Sequence, residues 1–144
     1  MPIQAVPNLH DRAAIEQLLS EFAWHADRGE GVPLAELFLS DGVLIVGGQE
    51  LRGRVAIADD CHRRGIGSER KTRHCWSNLR VVHADADTLN STAVQLTIEQ
   101  THPAQSVAQI RVNDLFDTLR KDPQGVWRIA HREIRREMTL WTAG

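Results

Sequence analysis

Four β-rich segments follow one another in the second half of the sequence, and no other feature constrains the fold as strongly. The segments span residues 72–83, 92–102, 107–121 and 126–138. Residues that favour turns separate them, namely Asp85, Asp87 and Asn90, then Pro103, then Asp122, Pro123 and Gly125. Because these turns recur at roughly hairpin spacing, the pattern predicts an antiparallel meander of four strands.

The first half of the sequence predicts helices. From Asp11 onward, apolar residues recur at i, i+3, i+4, i+7 and i+11, and they are Ile15, Leu18, Leu19, Phe22 and Ala26. This stripe predicts an amphipathic helix, which should end near Arg28 because glycines follow. Pro33 suits the first turn of a short second helix. Residues 42–46 are predicted to form a buried strand, and residues 54–64 a third helix whose pattern is weaker. Helices followed by a strand meander indicate an α+β fold with helices on one face of the sheet.

Length and composition restrict the class of protein. The 144 residues are expected to form one domain, residues 1–144. A formal net charge of −2 offers no field to attract nucleic acid, so no nucleic-acid partner is expected. The longest apolar run, 43–46, falls far short of the roughly 20 residues that cross a bilayer, and no secretory signal is recognisable. We therefore expect no membrane association and a cytoplasmic location, with Cys61 and Cys75 as free thiols.

The first β segment places polar and aromatic side chains on one face. With a period of two, His74, Trp76 and Asn78 point the same way. Inside a purely apolar core, such groups would lack hydrogen-bond partners. The segment therefore lines a polar pocket or faces solvent, and this strand alone does not decide between the two.

Three ionisable residues are further candidates for a pocket. Asp27 lies in the last turn of the first helix, where the helix dipole disfavours negative charge. Either it has a partner that is cationic or shares a proton with it, or it begins a solvated turn. Asp114 interrupts an apolar face that includes Phe116. It is therefore either a carboxyl group in a pocket or the point at which the strand leaves the core. His131 shares a face with Trp127 and either lines the same cavity or lies in the core or at its rim.

Other catalytic motifs are missing from the sequence. Its seven histidines form no H-x-H or H-E-x-x-H cluster, so no metal site is expected. Neither a phosphate-binding glycine loop nor a G-x-S-x-G elbow is present, and no cofactor is expected. Acid and base chemistry by His and Asp is the class that remains.

Several motifs occur in an order typical of one family. They are Arg12-Ala13-Ala14-Ile15, His74-Cys75-Trp76-Ser77-Asn78-Leu79-Arg80, Asp117-Thr118-Leu119-Arg120 and Gly125-Val126-Trp127-Arg128-Ile129. This order resembles the SnoaL-like branch of the nuclear transport factor 2-like superfamily, which includes scytalone dehydratase, hexachlorocyclohexane dehydrochlorinase and polyketide cyclases. The resemblance covers about residues 11–137. It implies a cone-shaped, curved, mostly antiparallel sheet with about three N-terminal helices over its concave face.

The resemblance also implies a function. Asp27 and His74 fall at the positions of the paired Asp and His of the dehydratase and the dehydrochlorinase, so His74 would remove a proton from carbon while Asp27 orients its imidazole. This predicts a cofactor-independent lyase or isomerase that acts on a small hydrophobic molecule, cyclic or aromatic. The residues expected to bind this substrate are Trp24, Trp76, Asn78, Asp114, Phe116 and His131.

Two departures from the family restrict the reaction. The chain has no Tyr, so the phenols that assist scytalone dehydratase are missing, and Phe22 stands where the dehydrochlorinase has Lys. The alternative function is a non-catalytic ligand-binding or assembly module of the same fold, including the small subunit of a ring-hydroxylating dioxygenase. The outer face of an open curved sheet needs cover, so we expect a homodimer or homotrimer.

Overall fold

A computed structural model describes residues 7–65 and 69–142 of the chain. In chain order, the elements are α1 (Leu9–Arg28), α2 (Gly31–Glu36), β1 (Phe38–Val46), β2 (Gln49–Arg52), α3 (Gly53–Gly65), β3 (Lys71–Ala84), β4 (Thr88–Gln100), β5 (Gln109–Lys121) and β6 (Trp127–Trp141). The three predicted helices and the four-strand meander are confirmed. Strand β2 is not predicted, because only one of its four residues, Leu51, is buried and no alternation marks it.

All six strands form one sheet in the order β2-β1-β6-β5-β4-β3. Neighbouring strands are antiparallel, except that β1 runs parallel to β6. The pairing is irregular in β3 between Ser77 and Arg80, and between β5 and β6 after Val112 and after Thr118. Such irregularities bend a sheet and increase its twist. The predicted class, an α+β fold with helices over a curved and mostly antiparallel sheet, is confirmed.

The hydrophobic core lies between the helices and the inner face of the sheet. Ile15 of α1, Phe38 of β1, Ile57 of α3 and Ile129 of β6 are completely buried within it. In β4 and β5, buried side chains alternate with more exposed ones, as the period of two requires. This alternation separates an inner face, toward the helices, from an outer face.

The packing of α2 against α3 depends on Gly31. A Cβ atom at this position would lie 2.2 Å from the carbonyl oxygen of Ala58, so a larger residue would push the helices apart. This close approach holds α3 near the inner face of the sheet, where it contributes a wall of the cavity described below. In the part of the chain that the structure describes, every helix is too short or too polar to span a membrane.

Candidate active site

The position of Asp27 follows from the way α1 ends. Gly29 adopts a left-handed φ of 65°, and its N–H bonds back to carbonyl groups of the helix. Helix α1 packs against β3, so the last helical turn meets the start of that strand. The carboxylate of Asp27 therefore reaches Thr72 and His74.

Asp27 accepts hydrogen bonds from several groups of β3. His74 Nδ1 lies 2.5 Å from Oδ1, the backbone N of His74 lies 3.1 Å from Oδ1 and 3.2 Å from Oδ2, and Thr72 Oγ1 lies 3.2 Å from Oδ1. Only 5% of the Asp27 side chain and 16% of the His74 side chain are exposed. These donors offset the cost of burying a carboxylate at a helix C-terminus, where the dipole opposes negative charge.

The same contact selects the tautomer of His74. A carboxylate only accepts hydrogen bonds, so the ring proton that is donated to Asp27 must be on Nδ1. In the neutral imidazole, Nε2 then carries a free lone pair. His74 is thus prepared to accept a proton at Nε2 from a molecule bound beside it.

A cavity of about 90 Å³ lies next to this pair. Most of its wall is apolar, and it includes Phe22, Ala26, Leu34, Leu44 and Ile57. A wider recess of about 590 Å³ adjoins the cavity. Both are lined by Val46, Arg64, His74, Arg111 and Ile134. His74 therefore lies where the apolar interior meets the wider recess.

Glu99 organises two arginines beside this junction. Arg111 donates a hydrogen bond from Nη1 to its carboxylate, and Arg70 Nη1 lies 3.6 Å from the same carboxylate. Burial alone would raise the pKa of Glu99, but the hydrogen bond and charge of Arg111, with help from Arg70, hold that pKa below its ordinary value. Glu99 is therefore ionised at neutral pH, and two guanidinium groups share its single charge.

Asp60 of α3 is, like Glu99, a buried carboxylate that contacts two arginines. Its side chain is 6% exposed and accepts hydrogen bonds from Arg63 Nη2, at 2.5 Å, and from Arg64 Nε, at 2.9 Å. These partners lie three and four residues later on the helix, which is the spacing that brings side chains together. Asp60 and Arg64 both line the cavity.

Cys61, next to Asp60 in the cavity wall, should be unreactive at neutral pH. Burial raises its pKa to about 11, and the negative charge of Asp60 adds to the shift. The thiolate is the reactive form, so its reaction rate should grow only as the pH approaches that value. Cys75 is exposed on β3.

With a disulfide reagent at neutral pH, we expect Cys75 to react rapidly and Cys61 only after unfolding. Two equally fast reactions in the folded protein would contradict this expectation.

Several predicted substrate-binding residues lie outside this cavity, although Trp24 and Trp76 line an open recess of about 420 Å³ that Asp27 and His74 also line. Trp24 is 55% exposed, and the guanidinium group of Arg28 stacks 3.3 Å from its ring centre. Trp76 packs at the edge of the core and donates a hydrogen bond to a serine of α1. Asn78 is exposed with a φ of 55°, because the pairing of β3 is irregular there. The irregularity breaks the period of two, so Asn78 does not share the environment of His74.

The structure places Asp114, Phe116 and His131 on the outer face of the sheet, away from the cavity. Asp114 and Phe116 alternate with the buried residues of β5 and therefore lie on the outer face of the sheet. The guanidinium group of Arg135 covers the Phe116 ring there at 4.2 Å. The irregular pairing of β6 places His131 opposite Thr118, which is on the same outer face. Asp114, the acid in an apolar row, therefore lies on the outside of the sheet and not in a pocket.

The charged groups that line the cavity are not among the residues that the sequence predicts to bind the substrate. Asp60, Arg64, Arg70 and Arg111 line the cavity, and Glu99 supports two of them. One signal for them exists in β4, where Gln95, Thr97 and Glu99 are buried while Ile98 is 39% exposed. A polar row opposite an apolar row is normally taken as the solvent face, and here it lines the inside of the cone.

Comparison with known proteins decides the family. A family model for the SnoaL-like domain matches residues 7–133, which is most of the chain. The chain belongs to the SnoaL-like domain family. The resemblance that the motifs indicate is thereby confirmed. No curated protein sequence is significantly similar to this SnoaL-like domain.

Solved structures support the same assignment. A candidate scytalone dehydratase from Novosphingobium aromaticivorans is 28% identical, with a TM-score of 0.80 over 92% of this chain and 88% of that one. A hexachlorocyclohexane dehydrochlorinase, LinA type 2, is 21% identical, with a TM-score of 0.81 over 94% and 91% of the two chains. A candidate aromatic ring hydroxylase from N. aromaticivorans is 19% identical, with a TM-score of 0.82 over 96% of each chain. The last two likenesses concern the fold alone.

Proposed function

We propose that this SnoaL-like domain is a cofactor-independent lyase or isomerase that removes a proton from carbon in a small cyclic or aromatic substrate. The observation that carries the proposal is the 2.5 Å contact between His74 Nδ1 and Asp27 Oδ1 beside a largely apolar cavity. Concave, mostly apolar sites with a few convergent polar groups are typical of enzymes for small molecules. The similarity to a candidate scytalone dehydratase supports the reaction class.

In the proposed reaction, His74 is the general base. Its Nε2 accepts the proton, and the electron pair of the broken C–H bond moves into the substrate as an enolate or a new double bond. The carboxylate of Asp27 stabilises the imidazolium ion that forms, through the hydrogen bond from Nδ1. The proton then returns to a different atom of the substrate in an isomerisation, or to the departing group in an elimination.

Proton exchange with deuterium oxide tests this proposal before the natural substrate is known. Small cyclic ketones with acidic C–H bonds, such as β-tetralone, are incubated with the protein, and the loss of the α-proton signal is followed by proton NMR. We expect exchange well above the rate in buffer. If every ketone of the panel binds without exchange, the protein is instead a non-catalytic ligand-binding module.

The outer face of the sheet supports a further proposal, that a second copy of this chain covers it. In register across three strands lie Ile98, Ile110 and Leu140, and the neighbouring row includes Val112 and Met138. Exposed fractions are 39% for Ile98, 52% for Met138 and 50% for Leu140. Contiguous apolar surface of this kind usually marks an interaction site. This arrangement supports the predicted homodimer or homotrimer.

Replacement of Leu140 by Lys should therefore shift the protein toward monomers. A buried lysine in the interface would lack a partner and would oppose association. Sedimentation velocity at micromolar concentration measures the change. Gln124→Lys, in the exposed turn before β6, adds the same charge and should leave the association state unchanged. Sedimentation of the unaltered protein as a monomer would contradict the proposal.

A further inference from the structure

A row of residues in register connects His74 to an arginine across the sheet. His74 of β3 pairs with Thr97 of β4, and Thr97 pairs with Arg111 of β5. Since neighbouring strands are about 4.8 Å apart, the Cα atoms of His74 and Arg111 are separated by roughly 10 Å. Thr97 between them is small and buried. A ligand that lies over Thr97 can thus contact the base on one side and the guanidinium group on the other.

Arg111 is held in position by its own hydrogen bonds. Nη1 donates to the carboxylate of Glu99 and, over 2.8 Å, to Oε1 of Gln109. Among the described residues, both of these hydrogen bonds use Nη1, which leaves Nε and Nη2 of the planar guanidinium group for a ligand. The side chain is 16% exposed, so a charged contact there is screened less than on the surface. Arg111 is a preorganised donor that faces the cavity.

Several arginines meet at the cavity. Its lining includes the guanidinium groups of Arg64, Arg70 and Arg111, with Asp60 and Glu99 as carboxylate partners. The carboxylate of Asp27 lies next to His74 on the same side of the fold. Positive charge in a recess with low-dielectric walls raises the local concentration of anions.

We infer that the substrate is a small carboxylate with an apolar cyclic or aromatic body. Arg111 binds the carboxylate group above Thr97, the apolar interior of the cavity receives the body, and His74 faces the carbon that loses its proton. Guanidinium and carboxylate groups match in shape and form paired hydrogen bonds, so this contact orients the substrate as well as attracting it. The inference rests on the proposed function and adds the chemical class of its substrate.

Equilibrium binding of two matched probes tests the inference. Para-fluorobenzoate and para-fluorobenzamide have similar shapes, differ in charge, and lack an acidic C–H bond, so their binding does not depend on catalysis. Fluorine NMR titration should show that the benzoate binds at least about tenfold more tightly than the amide, because charged hydrogen bonds are stronger than neutral ones. Arg111→Gln should abolish this preference, and Arg111→Lys should retain part of it.

The control is Arg120→Gln, which removes the same charge from an exposed position on the same strand and should keep the preference. Equal binding of the two probes, binding of neither at millimolar concentration, or a preference that survives Arg111→Gln would overturn the inference. If Arg111→Gln does not fold, the comparison of the two probes on the unaltered protein decides. His74→Ala should keep the preference while it loses proton exchange, so failure of the carboxylate site and failure of the catalytic pair give different results.

Discussion

His74→Ala should reduce the enzyme-catalysed rate of proton exchange by about 100- to 10,000-fold, which is the usual contribution of a general base. The variant removes Nε2, the only atom of this residue that can accept the substrate proton while Nδ1 is bound to Asp27. Proton NMR in deuterium oxide measures the loss. The cavity and the apolar core remain, so ligand binding should change far less than exchange.

Asp27→Asn should cause a loss of similar size for a different reason. The neutral amide does not stabilise the imidazolium ion, and its NH2 group can donate to His74 Nδ1, which favours the wrong tautomer of the ring. The helix end should stay in place, because the amide oxygen can still accept from the backbone N of His74.

Two substitutions at exposed positions are the matched controls. His10→Ala and Asp41→Asn make the same chemical changes away from the cavity and should leave exchange unaltered. Exchange that proceeds at the unaltered rate in both His74→Ala and Asp27→Asn would eliminate the catalytic role of the pair. A loss that is equally large in the controls would point to unfolding instead, and circular dichroism distinguishes that case.

Arg132→Met should lower the free energy of unfolding by about 3–5 kcal/mol, the usual cost of leaving one charge of a buried ion pair without its partner. Arg132 is 1% exposed, and its Nε and Nη2 bond to Asp117 at 2.8 Å and 2.7 Å. Its guanidinium group also lies 4.4 Å from the ring centre of Phe22. Removal of Arg132 therefore leaves the carboxylate of Asp117 buried and unpaired.

The double variant Arg132→Met with Asp117→Leu should recover most of this loss, because an apolar pair of similar volume often replaces a buried ion pair without cost. Urea denaturation measures both variants. Arg135→Met, which breaks the exposed pair with Glu133, should change stability little. A single variant as stable as the unaltered protein would show that the buried pair does not support the fold.

The sequence predicts the elements well because their signals are local. The stripe from Ile15 to Ala26 specifies α1 through helical spacing alone, and the turn residues around Pro123 and Gly125 separate β5 from β6. Strand β2 has no such local signal. It forms because the chain turns back after Gly47 and Gly48, where both backbone φ angles are positive, and pairs with β1.

The residues of the candidate site also differ in whether the sequence contains a local signal for them. Asp27 and His74 could be suggested from single positions, an acid at a helix end and a histidine in a strand, together with a family resemblance. Asn78 and His131 lie outside the cavity for a common reason, since each lies at an irregular strand pairing that shifts the alternation of faces and that no sequence pattern reveals. Asp114 lies on the outer face, because the polar row near the cavity belongs to the inner face of the sheet.

By itself, the sequence determined the family and the order and kind of every secondary-structure element except β2, because hydrophobic period, turn residues and motif order are properties of short segments. Tertiary structure alone decided which charged groups meet. Arg111 shares the cavity with His74 only through the register of three strands, and Asp60 joins them only through the close packing of α3. Register and packing depend on contacts between residues far apart in the chain, and these set the chemistry of the cavity.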